Sequence, residues 1–297
     1  MASQNRGDIY SRITADIITA IEVGAGEFRM PWHHDGSSTS RPVNVVSDKP
    51  YRGINTIALW AAATQASYDS GLWGTYQQWA AKGAQVRRGE HGSTIVFWKI
   101  ESRQDPQEPD EESGRSVFAR AYTVFNSAQV DGYIPPQVPV LADDKRIERA
   151  EHFCDNLGIE IRHGGDRAFY MPAGDFVQMP EFRRFRDGPA YYATLLHECG
   201  HACGAKHRLD RDLTGRFGSE SYAMEECVVE LLSAMICGDL ALSVNPRPDH
   251  ARYIASWLKV LRDDPRAIFT ASSKAQQAAD WMHAQQPADA TEYRGAA

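Results

Sequence analysis

The chain has 297 residues, 42% of them hydrophobic and 24% charged, with a net charge of −7. That is the composition of an ordinary globular protein, long enough for two domains, and its acidity taken alone argues against a nucleic-acid binder. No apolar run approaches the ~20 residues that a membrane-spanning helix needs, and the first eight residues carry no apolar signal segment, so a cytoplasmic protein is expected.

In chain order, the isoleucines 9, 13, 17, 18 and 21 have helical spacing, so a first helix is expected within residues 8–28. A polar, Ser-rich loop follows over Pro31 to Arg41. Asn55 to Ala66 and Thr75 to Lys82 read as two more helices. Thr94 to Lys99 and Ser116 to Phe125 read as paired strands around an acidic loop, Ser102 to Gly114. The Pro-rich stretch after Asp131 predicts a linker, dividing the chain into segments 1–130, 131–142 and 143–297. In the last segment, Lys145 to Leu157 predicts a helix. Three short strands are expected near Ile159, Ala168 and Asp175, the last as an edge strand able to pair with an extended peptide. Helices are then expected over Gly188–Cys203, Tyr222–Leu240 and His250–Arg262, with a fraying tail after Gln286.

Two features of this layout carry chemistry. The first lies in residues 41–100, where seven basic residues (Arg41, Lys49, Arg52, Lys82, Arg87, Arg88, Lys99) face three acidic ones (Asp48, Asp69, Glu90). Aromatics interleave with these cations, a pattern that suits single strands: cations track phosphates and rings stack on bases. From composition alone, Trp73, Trp79 and Trp98 read instead as core. The second feature is His197-Glu198-Cys199-Gly200-His201. Residues four apart on a helix share a face, so both imidazoles can reach one metal ion. Glu198 beside them can take a proton from water. Zinc is the metal this motif takes, and a catalytic site needs a third protein ligand.

Two candidates exist for that ligand. His207 completes H-E-x-x-H-x-x-G-x-x-H, with Gly204 at the turn, but Met224, the residue on offer for the methionine turn of that pattern, falls in a helix. The other candidate is an acid of the next helix, where Glu225, Glu226 and Glu230 open an otherwise apolar segment. Among these acids Glu226 is the choice, with Glu230 accepting a hydrogen bond from a ligand imidazole. The five cysteines lack C-x-x-C pairs, which suits free thiols, and Cys199 and Cys203 read as small packing residues rather than ligands.

The ordered set Pro50-Tyr51-Arg52-Gly53-Ile54-Asn55, Trp73-Gly74-Thr75-Tyr76, Arg87-Arg88-Gly89-Glu90, Ile95–Lys99 and Phe125–Val130 resembles the N-terminal domain of ArdC-type antirestriction proteins. The second half is similar to the zincin-like metallopeptidase domain that follows it in that family. Asp175–Pro180, Tyr191-Tyr192, the H-E-x-x-H helix, Arg208-Leu209, Phe217–Glu220 and the Glu225/Glu226/Glu230 helix occur in family order. The resemblance implies an α+β chain: a mixed α/β single-strand-binding domain, then a zincin-like domain. It implies antirestriction during plasmid conjugation, single-stranded DNA as partner, and a zinc site of His197, His201 and an acid of the Glu225/Glu226 pair, with Glu198 catalytic. On this reading the candidate DNA contacts are Arg52, Trp73, Tyr76, Arg87, Arg88 and Lys99. A peptide substrate, such as a host restriction component, stays open. So do two rivals: a DNA-shielding protein with a structural metal, and a cytosolic peptidase unrelated to DNA.

Overall fold

The computed structural model describes residues 4–24, 30–33, 41–102, 115–135, 142–215, 219–244 and 250–287, with side chains throughout except at 4–8, 99–102, 115–118 and 250–256. Outside these residues lie nearly all of the expected acidic loop Ser102–Gly114, residues 34–40 of the Ser-rich loop, half of the linker, Phe217, Gly218 and the end of the tail.

The first half runs α1 (Gln4–Gly24), β1 (Val43–Asn44), α2 (Ile54–Ala66), β2 (Leu72–Gly74), α3 (Tyr76–Ala81), β3 (Gln85–Val86), β4 (Ser93–Ser102), β5 (Arg115–Asn126) and β6 (Val130–Asp131). On α1, Ile9, Ile13, Ile17 and Ile21 are buried at four-residue spacing, which is what turns this segment into a packed helix. Gly53 opens α2 at φ +54°, a left-handed value that costs a side-chain-bearing residue dearly. Thr75 and Gln78 form a reciprocal capping box at the start of α3. The sheet order is β1-β2-β5-β4, and β3 and β6 form a separate ribbon.

The second half runs α4 (Asp143–Asp155), β7 (Glu160–His163), β8 (Phe169–Met171), β9 (Phe176–Met179), α5 (Gly188–Cys203), α6 (Glu220–Asp239), α7 (His250–Asp263) and α8 (Ala267–Ala284). Its sheet has the order β7-β9-β8. The strand expected at an edge, β9, is therefore central: β7 pairs with one side and β8 with the other, so its ladder groups are already used. The free edges belong to β7 and β8. Helix α8 was not expected from the sequence. It packs on α6, and its Ala271, Ala275, Ala278, Ala279 and Met282 are all fully buried.

One apolar cluster passes through both halves. It takes in Ile13, Ile17, Ile21, Trp32, Ile57 and Trp60 from the first, and Leu196, Leu231, Trp257, Ile268 and Met282 from the second. Polar ties cross the same seam: Thr14 Oγ1 donates to Pro265 O at 2.7 Å, Arg41 pairs with Asp239 at 2.8 Å and bonds Gln276, and Arg262 pairs with Glu22. No helix among the described residues is long and apolar enough to cross a membrane.

Candidate metal centre

Helix α5 begins where Asp187 caps the Ala190 N–H at 2.8 Å, with Pro189 in the first turn, where its missing N–H costs nothing. Leu195, Leu196, Cys199, Ala202 and Cys203 bury its apolar side against α6, which answers with Val228, Val229, Leu231 and Leu232. The two helices lie close at Gly200, where an added Cβ would be 3.1 Å from both Val229 Cβ and Leu232 Cδ2. Gly200→Val should therefore wedge the helices apart. The expected loss is about 1–3 kcal/mol in denaturant unfolding, with metal binding weakened in parallel; unchanged stability would contradict this role for Gly200. Burial pushes the Cys203 thiol up to about 12 and Cys199 well above its ordinary value, so neither is a thiolate at neutral pH.

The two motif imidazoles stand edge to face, 5.1 Å between centroids. His197 Nε2 lies 3.4 Å from Glu226 Oε2, and His201 Nε2 lies 3.5 Å from Glu226 Oε1. One ligand atom from each residue fits within a mutual spacing of 4.8 Å. Ligands about 2.1 Å from a tetrahedral zinc would be roughly 3.4 Å apart, so this donor set, two imidazoles and one carboxylate, fits a divalent cation. Burial alone would raise the Glu226 carboxyl, but the His197 hydrogen bond and charge, with help from His201 and the Tyr222 hydroxyl, hold it at about 2.

The outer nitrogens of both rings also meet carboxylates. Glu230 Oε2 is 3.5 Å from His197 Nδ1, and Glu225 Oε1 is 3.4 Å from His201 Nδ1. Each outer carboxylate favours a proton on Nδ1 and leaves Nε2 as the electron-pair donor facing Glu226. Glu225 is itself gripped by Arg211, through Nε at 3.0 Å and Nη2 at 2.7 Å, and Nη2 also reaches Gly200 O at 2.6 Å. Burial opposes ionisation of Glu225, yet the His201 and Arg211 bonds hold its carboxyl below the usual range. The sequence reading missed Arg211; an arginine in a loop leaves no periodic signal.

His207 is placed elsewhere. It is 60% exposed and pairs with Asp175 at 3.2 Å. Arg208 bonds both oxygens of Asp175, and Tyr170 donates to it as well. Gly204 keeps a right-handed φ of −74° instead of turning His207 back, and Met224 lies within α6.

The candidate DNA contacts are scattered. Trp73 is fully buried against Leu59, Ile95 and Val124, so it packs the core and offers no face to a base. Arg52 pairs with Asp280 at 2.5 Å. Lys99 sits opposite Phe118 in the β4–β5 register. Tyr76, Arg87 and Arg88, by contrast, share the lining of one shallow cavity of about 520 Å³ with Gln85, Glu90 and Phe125. Arg87 is engaged by Glu90 and Asp131, while Arg88 and the Tyr76 ring are exposed. Phe97 and Trp98 lie on the expected strand, but Trp98, read as core from composition, exposes 42% of its surface and Phe97 exposes 52%. Phe97 meets Tyr122 edge to face, and Arg120 lies 5.2 Å above the Tyr122 ring.

Comparison with known proteins fits this arrangement. A model of the N-terminal domain of the anti-restriction factor ArdC matches residues 7–125, and a zincin-like metallopeptidase model matches residues 148–274. The protein y4eC of Sinorhizobium fredii is 66% identical over 99% of this chain and 98% of its own length. The DNA primase TraC of Escherichia coli is 38% identical over 92% of this chain, which spans only 27% of that protein. The metal-free crystal structure of the antirestriction protein ArdC from plasmid R388 is 35% identical, with a TM-score of 0.77 over 94% of this chain and 97% of that one. Its Mn(II)-bound structure gives 0.73 over 93% and 97%. The chain therefore belongs to the ArdC-type antirestriction family, with an ArdC N-terminal domain followed by a zincin-like domain.

Proposed function

We propose that this protein protects incoming plasmid DNA from restriction in the recipient cytoplasm, using a single-strand-binding segment, residues 1–130, and a metal-dependent peptidase segment, residues 143–297, joined by residues 131–142. The observation that carries the reading is that His197 Nε2 and His201 Nε2, on the helix that also bears Glu198, converge with the Glu226 carboxylate of α6. The donor set favours zinc, and the Mn(II)-bound R388 relative supports a divalent cation more broadly. Such a cation, when bound, acidifies water and polarises a carbonyl. His197, His201 and Glu226 would hold it, and Glu225 and Glu230 would fix the ring orientations. Glu198 would receive the proton and return it to the leaving amine of a peptide. A component of the host restriction apparatus is the substrate class that joins this chemistry to protection.

Single-stranded DNA would lie along the cavity of Tyr76, Arg87 and Arg88, where an open ring sits beside an exposed guanidinium. The full chain, titrated with labelled single-stranded oligonucleotides across a salt series, tests this. Tyr76→Ala should weaken binding by about 1–3 kcal/mol through lost stacking. Arg88→Ala should flatten the slope of log affinity against log salt by about 0.7. Binding that is absent or indifferent to salt would remove DNA from the account.

A further inference from the structure

The metal centre of the second half is braced by a side chain of the first. His33 lies between α1 and α2, its side chain only 1% exposed, and its Nε2 stands 3.3 Å from Glu230 Oε1. The other ring nitrogen settles the tautomer. The Met30 backbone N–H points at His33 Nδ1 at 3.0 Å. A backbone N–H can only donate, so Nδ1 accepts and the neutral ring carries its proton on Nε2, aimed at Glu230. The second oxygen of Glu230 then faces His197 Nδ1 at 3.5 Å.

The chain of contacts therefore runs from Met30 N–H through His33 and Glu230 to His197, and it ends with His197 Nε2 turned toward Glu226. Arg211–Glu225–His201 forms the matching arm on the other ligand. The two arms differ in origin. Arg211 comes from the loop after α5, whereas His33 is 197 positions before its partner and falls in the segment matched by the ArdC N-terminal model.

We infer that His33 is a positioning residue for the metal centre, which holds Glu230, and through it the His197 ring, in the ligating orientation. The inference rests on the metal-site reading above. It means that the zincin-like segment carries the ligands but not the whole support of its own site.

The test uses the full chain. Metal-free protein is titrated with Zn(II) against a chromophoric chelator, Co(II) absorption bands report the ligand field, and denaturant unfolding of the metal-free form reports the fold. His33→Ala should lose about 10- to 100-fold in Zn(II) affinity, the usual effect of removing an outer support. Two further variants separate positioning from packing. His33→Gln places an amide donor where Nε2–H was, so affinity and Co(II) bands should stay close to those of the unchanged protein. His33→Asn reaches only the Nδ1 position, keeps the Met30 bond, and should lose affinity as His33→Ala does. The inference is overturned if all three bind Zn(II) within about 3-fold of the unchanged protein. It is equally overturned if affinity merely follows metal-free stability, with no split between Gln and Asn. An unchanged protein that binds no divalent cation would overturn the metal-site reading itself, and the inference with it.

Discussion

Replacing Glu226 by alanine is expected to cost the protein about 10²- to 10⁴-fold in Zn(II) affinity. Structural zinc sites bind with roughly 10–16 kcal/mol; if three ligands share that about equally, one carboxylate is worth roughly 3–5 kcal/mol, at ~1.4 kcal/mol per decade. Glu226 should carry at least that share, because it is the charged member of the donor set and its two oxygens face both Nε2 atoms, at 3.4 and 3.5 Å. The ordering of variants matters more than any single value. Glu225→Ala and Glu230→Ala leave all three inner donors in place and remove only ring support, so each should lose about 10- to 100-fold. His207→Ala should change nothing, since its ring is exposed on Asp175. Competitive Zn(II) titration of the four variants measures this series. A loss for His207→Ala that matches the loss for Glu226→Ala would reverse the assignment of the third ligand.

What could be read from the sequence follows the range over which each interaction acts. Spacing within one helix is set by covalent geometry, so the shared face of His197 and His201, and of Glu226 and Glu230, was visible in a string of letters. The paired strands β4 and β5 were legible as runs rich in β-branched and aromatic residues on either side of an acidic, Pro-containing loop. Helix α8 was not, because its inward face is mostly alanine, which gives little hydrophobic contrast even when fully buried. The position of β9 in its sheet was also hidden: strand order depends on which neighbours arrive, and β7 reaches it through a parallel crossover. Trp73 shows both sides: composition read it as core, as its burial under α2 and β5 bears out, while its place among the candidate DNA contacts fails because no face is left open. His33 is the extreme case. Nothing local marks it as different from His34, and only the packing of α1 and α2 against α6–α8 brings it to Glu230.

Glu198→Gln should leave the metal in place and stop the chemistry. Glu225, Glu226 and Glu230 are each committed to an imidazole, and Glu225 to Arg211 as well. Glu198, one residue after His197, makes no hydrogen bond or ion pair among the described residues, so its carboxylate is not committed to a partner there. Glutamine keeps the shape and removes the basicity. Zn(II) affinity should therefore stay within about 3-fold, while hydrolysis of a peptide substrate should fall by about 10²- to 10⁴-fold, the usual contribution of a positioned general base. Plasmid transfer into a restricting recipient then links the site to biology, with Glu226→Ala as the metal-deficient reference. If hydrolysis protects the DNA, Glu198→Gln should transfer as poorly as Glu226→Ala. If Glu198→Gln protects as well as the unchanged protein and Glu226→Ala does not, the cation serves protection by holding α5 and α6 together, and peptide hydrolysis drops out of the proposed function. If both variants protect fully, protection resides in the first half, and the Tyr76 and Arg88 variants become the ones that must fail.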